Sequence, residues 1–105
     1  MNEDTVISDF IKIDEEENQL YFMMAESRND PETDPLIIWL QGGPGCSSML
    51  AMFTENGPYN WKYDPTGRRS HGDMNYNPHS WNNKANVMYL DQPLGTGFSS
   101  PKNIF

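Results

Sequence analysis

The sequence has one cysteine, Cys46, so no disulfide can form among its 105 residues. In an intracellular chain that is unremarkable; in a secreted one it asks for a partner cysteine elsewhere. No apolar run approaches the roughly 20 residues needed to span a bilayer. The opening Met1-Asn2-Glu3-Asp4 lacks both the basic and the apolar stretch of a signal peptide. Basic side chains are scarce, seven Lys and Arg against fifteen Asp and Glu, for a net charge of −8. The imbalance is local: residues 1–34 hold eleven acidic and two basic side chains, and the rest balance to +1. An acidic surface repels phosphate, which argues against nucleic acid and anionic membranes as partners. Internal repeats and low-complexity linkers are also missing.

Hydrophobic residues make up 36% of the chain, including three Trp, five Tyr and five Phe, which excludes a disordered composition. The length fits one small domain or one piece of a larger one. Val6 to Ile13 and Gln19 to Ser27 are β-prone stretches, and the acidic run Asp14-Glu15-Glu16-Glu17 between them reads as a solvated hairpin turn. Leu20 to Ala25 is apolar on both faces and is expected inside a sheet. Ser27 to Pro35 is a loop by composition. Leu36-Ile37-Ile38-Trp39-Leu40 reads as an interior strand that stops at Gln41-Gly42-Gly43-Pro44-Gly45. Ser47 or Ser48 can cap a short helix with Met49, Leu50, Met52 and Phe53 on its apolar face, and Asn56-Gly57-Pro58 ends it. Tyr59 to Trp81, which includes Arg68-Arg69, reads as loop. Val87 to Leu90 is a second interior-type strand, broken by Asp91-Gln92-Pro93-Leu94-Gly95-Thr96-Gly97. Strand, glycine turn, helix and strand together imply α/β organisation.

A strand that runs into Gly-Gly-Pro-Gly leaves backbone N–H groups at its C-terminal end, where open α/β sheets bind ligands. Glycine lets the backbone approach a ligand closely, and Pro44 should push Gly43 toward the extended region. A fixed, unpaired Gly43 N–H is a candidate oxyanion donor. By spacing alone a purely structural turn remains open. A nucleotide-phosphate loop does not fit, since neither glycine-rich phosphate pattern is present.

Several blocks carry a resemblance. Glu26-Ser27-Arg28-Asn29-Asp30-Pro31 comes first, then Trp39-Leu40-Gln41-Gly42-Gly43-Pro44-Gly45-Cys46-Ser47-Ser48. Glu55-Asn56-Gly57-Pro58, Asn77-Pro78-His79-Ser80-Trp81-Asn82 and Tyr89 to Ser99 follow. In order and spacing they resemble the N-terminal region of serine carboxypeptidases, from about Asp9 to Ser99. The resemblance implies the N-terminal part of an α/β-hydrolase sheet across residues 1–105: a hairpin, interior strands and one short helix, incomplete by itself. It implies Gly43 in the oxyanion hole, with Trp39, Gln41, Gly42 and Glu55 binding the free carboxylate of a peptide or protein C-terminus. No cofactor or metal is implied. Cys46 matches a family cysteine that pairs with one far downstream, in keeping with a secretory, vacuolar, lysosomal or extracellular setting.

Glu55 would sit at a helix C-terminus, where the macrodipole disfavours negative charge. Beside a peptide carboxylate it would need to share a proton, which ties tight binding to acid pH. Gln41 departs from the family's usual Asn, and its extra methylene should weaken carboxylate recognition. Nothing positions His71 or His79 against Cys46, so a cysteine nucleophile is not supported. Asp91 should brace its loop by hydrogen bonds. No Gly-x-Ser-x-Gly elbow occurs; Gly97-Phe98-Ser99-Ser100-Pro101 lacks the second glycine. The chain alone is therefore expected to be inactive and, with an open sheet edge, poorly soluble or dimeric. The alternatives in view are a carboxypeptidase-like acyltransferase and a non-catalytic protein that binds peptide C-termini.

Overall fold

Two β-prone stretches flanking an acidic run should pair, and in the computed structural model they do. The structure describes residues 4–61 and 74–100; Arg68, Arg69 and His71 lie outside them. Strand β1 (Val6–Lys12) pairs antiparallel with β2 (Gln19–Ala25), from Val6 opposite Ala25 to Lys12 opposite Gln19. The turn is organised by Asp14, whose carboxylate accepts from the N–H groups of Glu16 and Asn18 and from the Asn18 amide at 2.7 Å. These bonds, led by the Asn18 amide, hold the Asp14 carboxyl below its usual range.

The apolar run after the loop forms β3 (Leu36–Leu40), and the second interior-type run forms β6 (Asn86–Leu90). They lie side by side in parallel, Leu36 opposite Asn86 through Leu40 opposite Leu90. Parallel neighbours need a crossover. Here it contains helix α1 (Met49–Thr54), strands β4 (Tyr59–Trp61) and β5 (Met74–Tyr76), and a one-turn 3₁₀ helix, Trp81–Asn83. The main sheet runs β1-β2-β6-β3, so β2 is interior as expected and β3 is at an edge of the described sheet. Two expectations need correction. The Tyr59–Trp81 segment is not all loop, because Tyr59 to Trp61 pairs antiparallel with Met74 to Tyr76. Along α1 it is Met49, Ala51 and Met52 that are buried, whereas Leu50 is 47% exposed. A six-residue helix has too few turns for its pattern to fix which side faces the sheet.

The core lies between α1 and one face of the sheet: Met49, Ala51, Met52, Val87 and Tyr89, flanked by Tyr21, Met23, Ile37, Trp39 and Phe53. Tyr89 is fully buried, its hydroxyl donates to Asn56 Oδ1 at 3.0 Å, and burial pushes its phenol far above the ordinary value. The alternation of β3 leaves Leu36, Ile38 and Leu40 more than half exposed on the other face.

Loop motifs lock onto this sheet by polar contacts between distant residues. Arg28 donates from Nε to Asp4 Oδ1 at 2.7 Å and from Nη2 to Asp4 Oδ2 at 3.1 Å. It also donates to the carbonyls of Asn77 and Pro58, to the Asn83 side chain, and lies over the Tyr76 ring. Buried Asn82 donates to Asp4 Oδ1 at 2.8 Å and to the Glu26 carbonyl at 3.0 Å. Burial works against the Asp4 charge, but the Arg28 and Asn82 bonds and the guanidinium charge outweigh it and keep the carboxyl below its usual range.

Candidate active site

The parallel pair brings the C-terminal ends of β3 and β6 together, and both strands leave the sheet there into glycine-containing turns. Ser48, fully buried, ties the two ends. Its Oγ donates to the Leu90 carbonyl and accepts from the Gln41 N–H at 3.2 Å, and it also lies 3.3 Å from the Trp39 carbonyl. No side-chain bond from Ser48 caps α1; the Ser47 hydroxyl instead accepts from the Met49 N–H at 3.1 Å.

Asp91 braces its loop, as expected, and reaches further. Its carboxylate is fully buried. Oδ1 accepts from the Ser47 hydroxyl at 2.6 Å and from the Ser48 N–H at 2.9 Å, and Oδ2 accepts from the Phe98 N–H at 3.1 Å. Gly97 is needed beside it: at φ +57°, a Cβ there would come within 2.2 Å of Asp91 Oδ2.

The turn from Gly42 to Cys46 is exposed. Gly43 adopts φ +141°, and a Cβ there would sit 3.0 Å from both the N and Sγ of Cys46. Only glycine takes that conformation readily. The Gly43–Pro44 and Gln92–Pro93 peptides are cis. Among the described residues no acceptor takes the N–H of Gly42 or Gly43.

The five candidate residues are not all joined. Trp39, half-buried with its ring edge-to-face on Trp81 at 5.1 Å, donates from Nε1 to Gln41 Oε1 at 2.8 Å. Gly42 and Gly43 continue the backbone from Gln41. Glu55 is the exposed C-cap of α1, its N–H bonded to the Ala51 carbonyl, and no described bond links its carboxylate to the other four. His79 is exposed and Cys46 is an exposed free thiol. Sequence reasoning missed Ser48 and Gln92. Ser48 was read only as a cap, and Gln92, whose Nε2 donates to the Gln41 carbonyl at 3.3 Å, is separated from it by 51 positions.

A mixed sheet with a parallel pair, a glycine turn at its C-terminal end and a short helix behind it is part of an α/β-hydrolase fold. The chain belongs to the serine carboxypeptidase family, whose profile matches residues 2–104. It is 49% identical over 86 residues to carboxypeptidase Y of Schizosaccharomyces pombe, an alignment covering 82% of this chain and 8% of that protein. It is 48% identical over 90 residues to serine carboxypeptidase-like 15 of Arabidopsis thaliana, covering 86% of this chain and 20% of the relative. Among solved structures, the prohormone-processing carboxypeptidase of Saccharomyces cerevisiae superposes with a TM-score of 0.73 at 34% identity, over 97% of this chain and 22% of that one. The chain thus spans about a fifth or less of these relatives.

Proposed function

We propose that this chain supplies the oxyanion-binding and carboxylate-binding part of a serine-type carboxypeptidase, which hydrolyses the last peptide bond of peptides and proteins. The observation that carries this reading is the exposed Gly43 N–H, left without an acceptor among the described residues at the end of a parallel strand. Such a donor stabilises the oxyanion of a tetrahedral intermediate, and losing it costs roughly 2.7–4 kcal/mol. Trp39, Gln41, Gly42 and Glu55 bind the free carboxylate of the substrate. The chemistry needs no cofactor or metal. Residues 1–105 contain no Gly-x-Ser-x-Gly elbow, so by themselves they form no acyl-enzyme. Cys46 joins a cysteine beyond these residues by a disulfide, in the secretory pathway, the vacuole or lysosome, or outside the cell. A second reading, acyl transfer to an alcohol on the same scaffold, is favoured by one feature: the indole N–H of Trp39 donates to Gln41 and has to leave it before it can reach a carboxylate.

The test is a graft. The matching stretch of the Schizosaccharomyces pombe relative is replaced by that of this chain, and release of the C-terminal residue from an N-blocked dipeptide is followed. Release of the free C-terminal residue supports the reading, and Gly43→Ala, which keeps the N–H but forces the turn off φ +141°, should lower kcat about 100-fold by misplacing that donor. A folded graft that releases nothing refutes it, and release of an ester in place of free acid when an alcohol is added selects acyl transfer.

A further inference from the structure

The glycine turn has little to hold it by packing. A Cβ built on Gly42 or Gly45 would meet no atom within 4 Å, and every residue from Gly42 to Cys46 is exposed. An oxyanion site must nevertheless be held to about 0.5 Å. The described bonds hold it from both ends: Ser47 and Ser48, where the chain leaves the turn, are bound by Asp91, and Gln41 is held where the chain enters.

Both edges of Gln41 are held. Its N–H donates to Ser48 Oγ at 3.2 Å, and its carbonyl accepts from Gln92 Nε2 at 3.3 Å. The Gln41–Gly42 peptide is trans, since the cis bonds are those preceding Pro44 and Pro93. In a trans peptide the carbonyl and the next N–H lie in one plane and point in opposite directions. Holding the Gln41 carbonyl therefore sets the direction of the Gly42 N–H and fixes the point from which the next peptide, carrying the Gly43 N–H, starts. Behind these two contacts stands Asp91, which holds the Ser48 N–H from one side and the Phe98 N–H from the other. Its own backbone is held too: its N–H donates to the Tyr21 carbonyl at 2.9 Å, and its carbonyl accepts from the Ser99 hydroxyl.

We infer that Gln92 and Ser48 are positioning residues for the glycine turn, aiming the Gly42 N–H and fixing where the Gly43 peptide starts, with Asp91 as the buried anchor that holds Ser48 in reach. The Asp91-Gln92 block thus has a task in the site that a loop brace would not need. Its catalytic meaning rests on the oxyanion role proposed for Gly43; the positioning itself does not.

Two measurements test this separately. In the 105-residue chain, Gln92→Leu and Ser48→Ala should lower the heteronuclear NOE of the Gly42 and Gly43 amides and shift their resonances. The amides of β2 and β6 should keep their values. Glycine amides that do not move overturn the inference, and so does a loss confined to the strands. Gln92→Glu, similar in size but without the donor, should reproduce the glycine effect if Gln92→Leu disturbs the whole fold. In the graft, Gln92→Leu should lower kcat/KM about tenfold, KM rising because the Gly42 N–H meets the substrate carboxylate and kcat falling as the start of the Gly43 peptide shifts. Ser48→Ala should do the same, and Ser48→Thr, which keeps the hydroxyl, should restore it. Equal kcat and KM in all variants overturn the inference. A graft inactive before any such substitution refutes the carboxypeptidase reading instead, and the glycine amides then decide the positioning.

Discussion

The indole Nε1 of Trp39 donates to Gln41 Oε1 at 2.8 Å, so the longer side chain of Gln41 reaches back from just beyond β3 to the end of that strand. The two residues are two positions apart, which makes the contact local. The bond orients the Gln41 carboxamide, oxygen toward the indole, and leaves its Nε2 as the side-chain donor for a ligand. One donor is withdrawn from the strand end, and the neighbouring edge-to-face contact with Trp81 keeps the indole from turning away.

Gln41→Asn should break this bond, because the shorter amide cannot span the same gap. In the graft the variant should favour a free-acid peptide over its amide by about tenfold more than the unmodified graft, the scale of one hydrogen bond to a charged group. Paired KM measurements on the acid and amide check it; an unchanged ratio defeats the reading of Gln41 as a specificity residue.

What was legible in the sequence were the features written in local pattern. The β1–β2 hairpin, β3, α1 and β6 are apolar runs bounded by turn chemistry, and each formed where expected. Strands β4 and β5 were hidden because Tyr-Asn-Trp and Met-Asn-Tyr, three residues each, are too short for an alternation to stand out from a loop. Of the candidate site, the glycine turn and its neighbours could be read, since one short segment contains them. The supports could not: Gln92 lies 51 positions from Gln41, and Asn82 lies 78 from Asp4. No periodicity records such pairings.

Two glycines should tolerate no side chain. A Cβ on Gly57 would lie 1.9 Å from the Met52 carbonyl oxygen, inside the last turn of α1, and one on Gly97 would strike Asp91 Oδ2 at a positive φ. Gly57→Ala and Gly97→Ala should each destabilise the chain by about 2 kcal/mol or more. Gly45→Ala is the informative control: it too has a positive φ, but its Cβ meets nothing within 4 Å, so its loss should be smaller. Urea midpoints of the three variants check the order.

The Asp4–Arg28 pair predicts an acid-sensitive contribution to stability. The Asp4 side chain is 1% exposed and its carboxyl is held below the usual value of 3.8. A depressed carboxylate stabilises the fold above its unfolded pKa and loses that contribution as pH falls through the folded one. Asp4→Ala should therefore cost about 3 kcal/mol at pH 7, leaving Arg28 without its partner. With Asp4→Asn, the Tm deficit should be full at pH 5 and above and shrink as pH falls below about 3.8. A deficit that stays constant down to pH 2 would show that the charge plays no part.

The exposed edge strand sets how the isolated chain behaves in solution. On β3, Ile37 and Trp39 pack toward α1, while Leu36, Ile38 and Leu40 are 52%, 53% and 56% exposed on the opposite face. Ile38 stands opposite Met88 and Leu40 opposite Leu90, and Met24 and Phe22 of β2 continue those rows to Ile7 and Asp9 on β1. The rows form an apolar surface across the sheet, and β3 offers unpaired backbone groups at one end of it. Both features favour pairing with another chain. Residues 1–105 should therefore sediment as dimers or larger species. Ile38→Lys should shift them toward monomer, because a charge on that face opposes stacking and leaves the α1 side of β3 intact. A monomeric wild-type chain with a sharp cooperative melt would overturn this, since the face would then be stable against water without a cover.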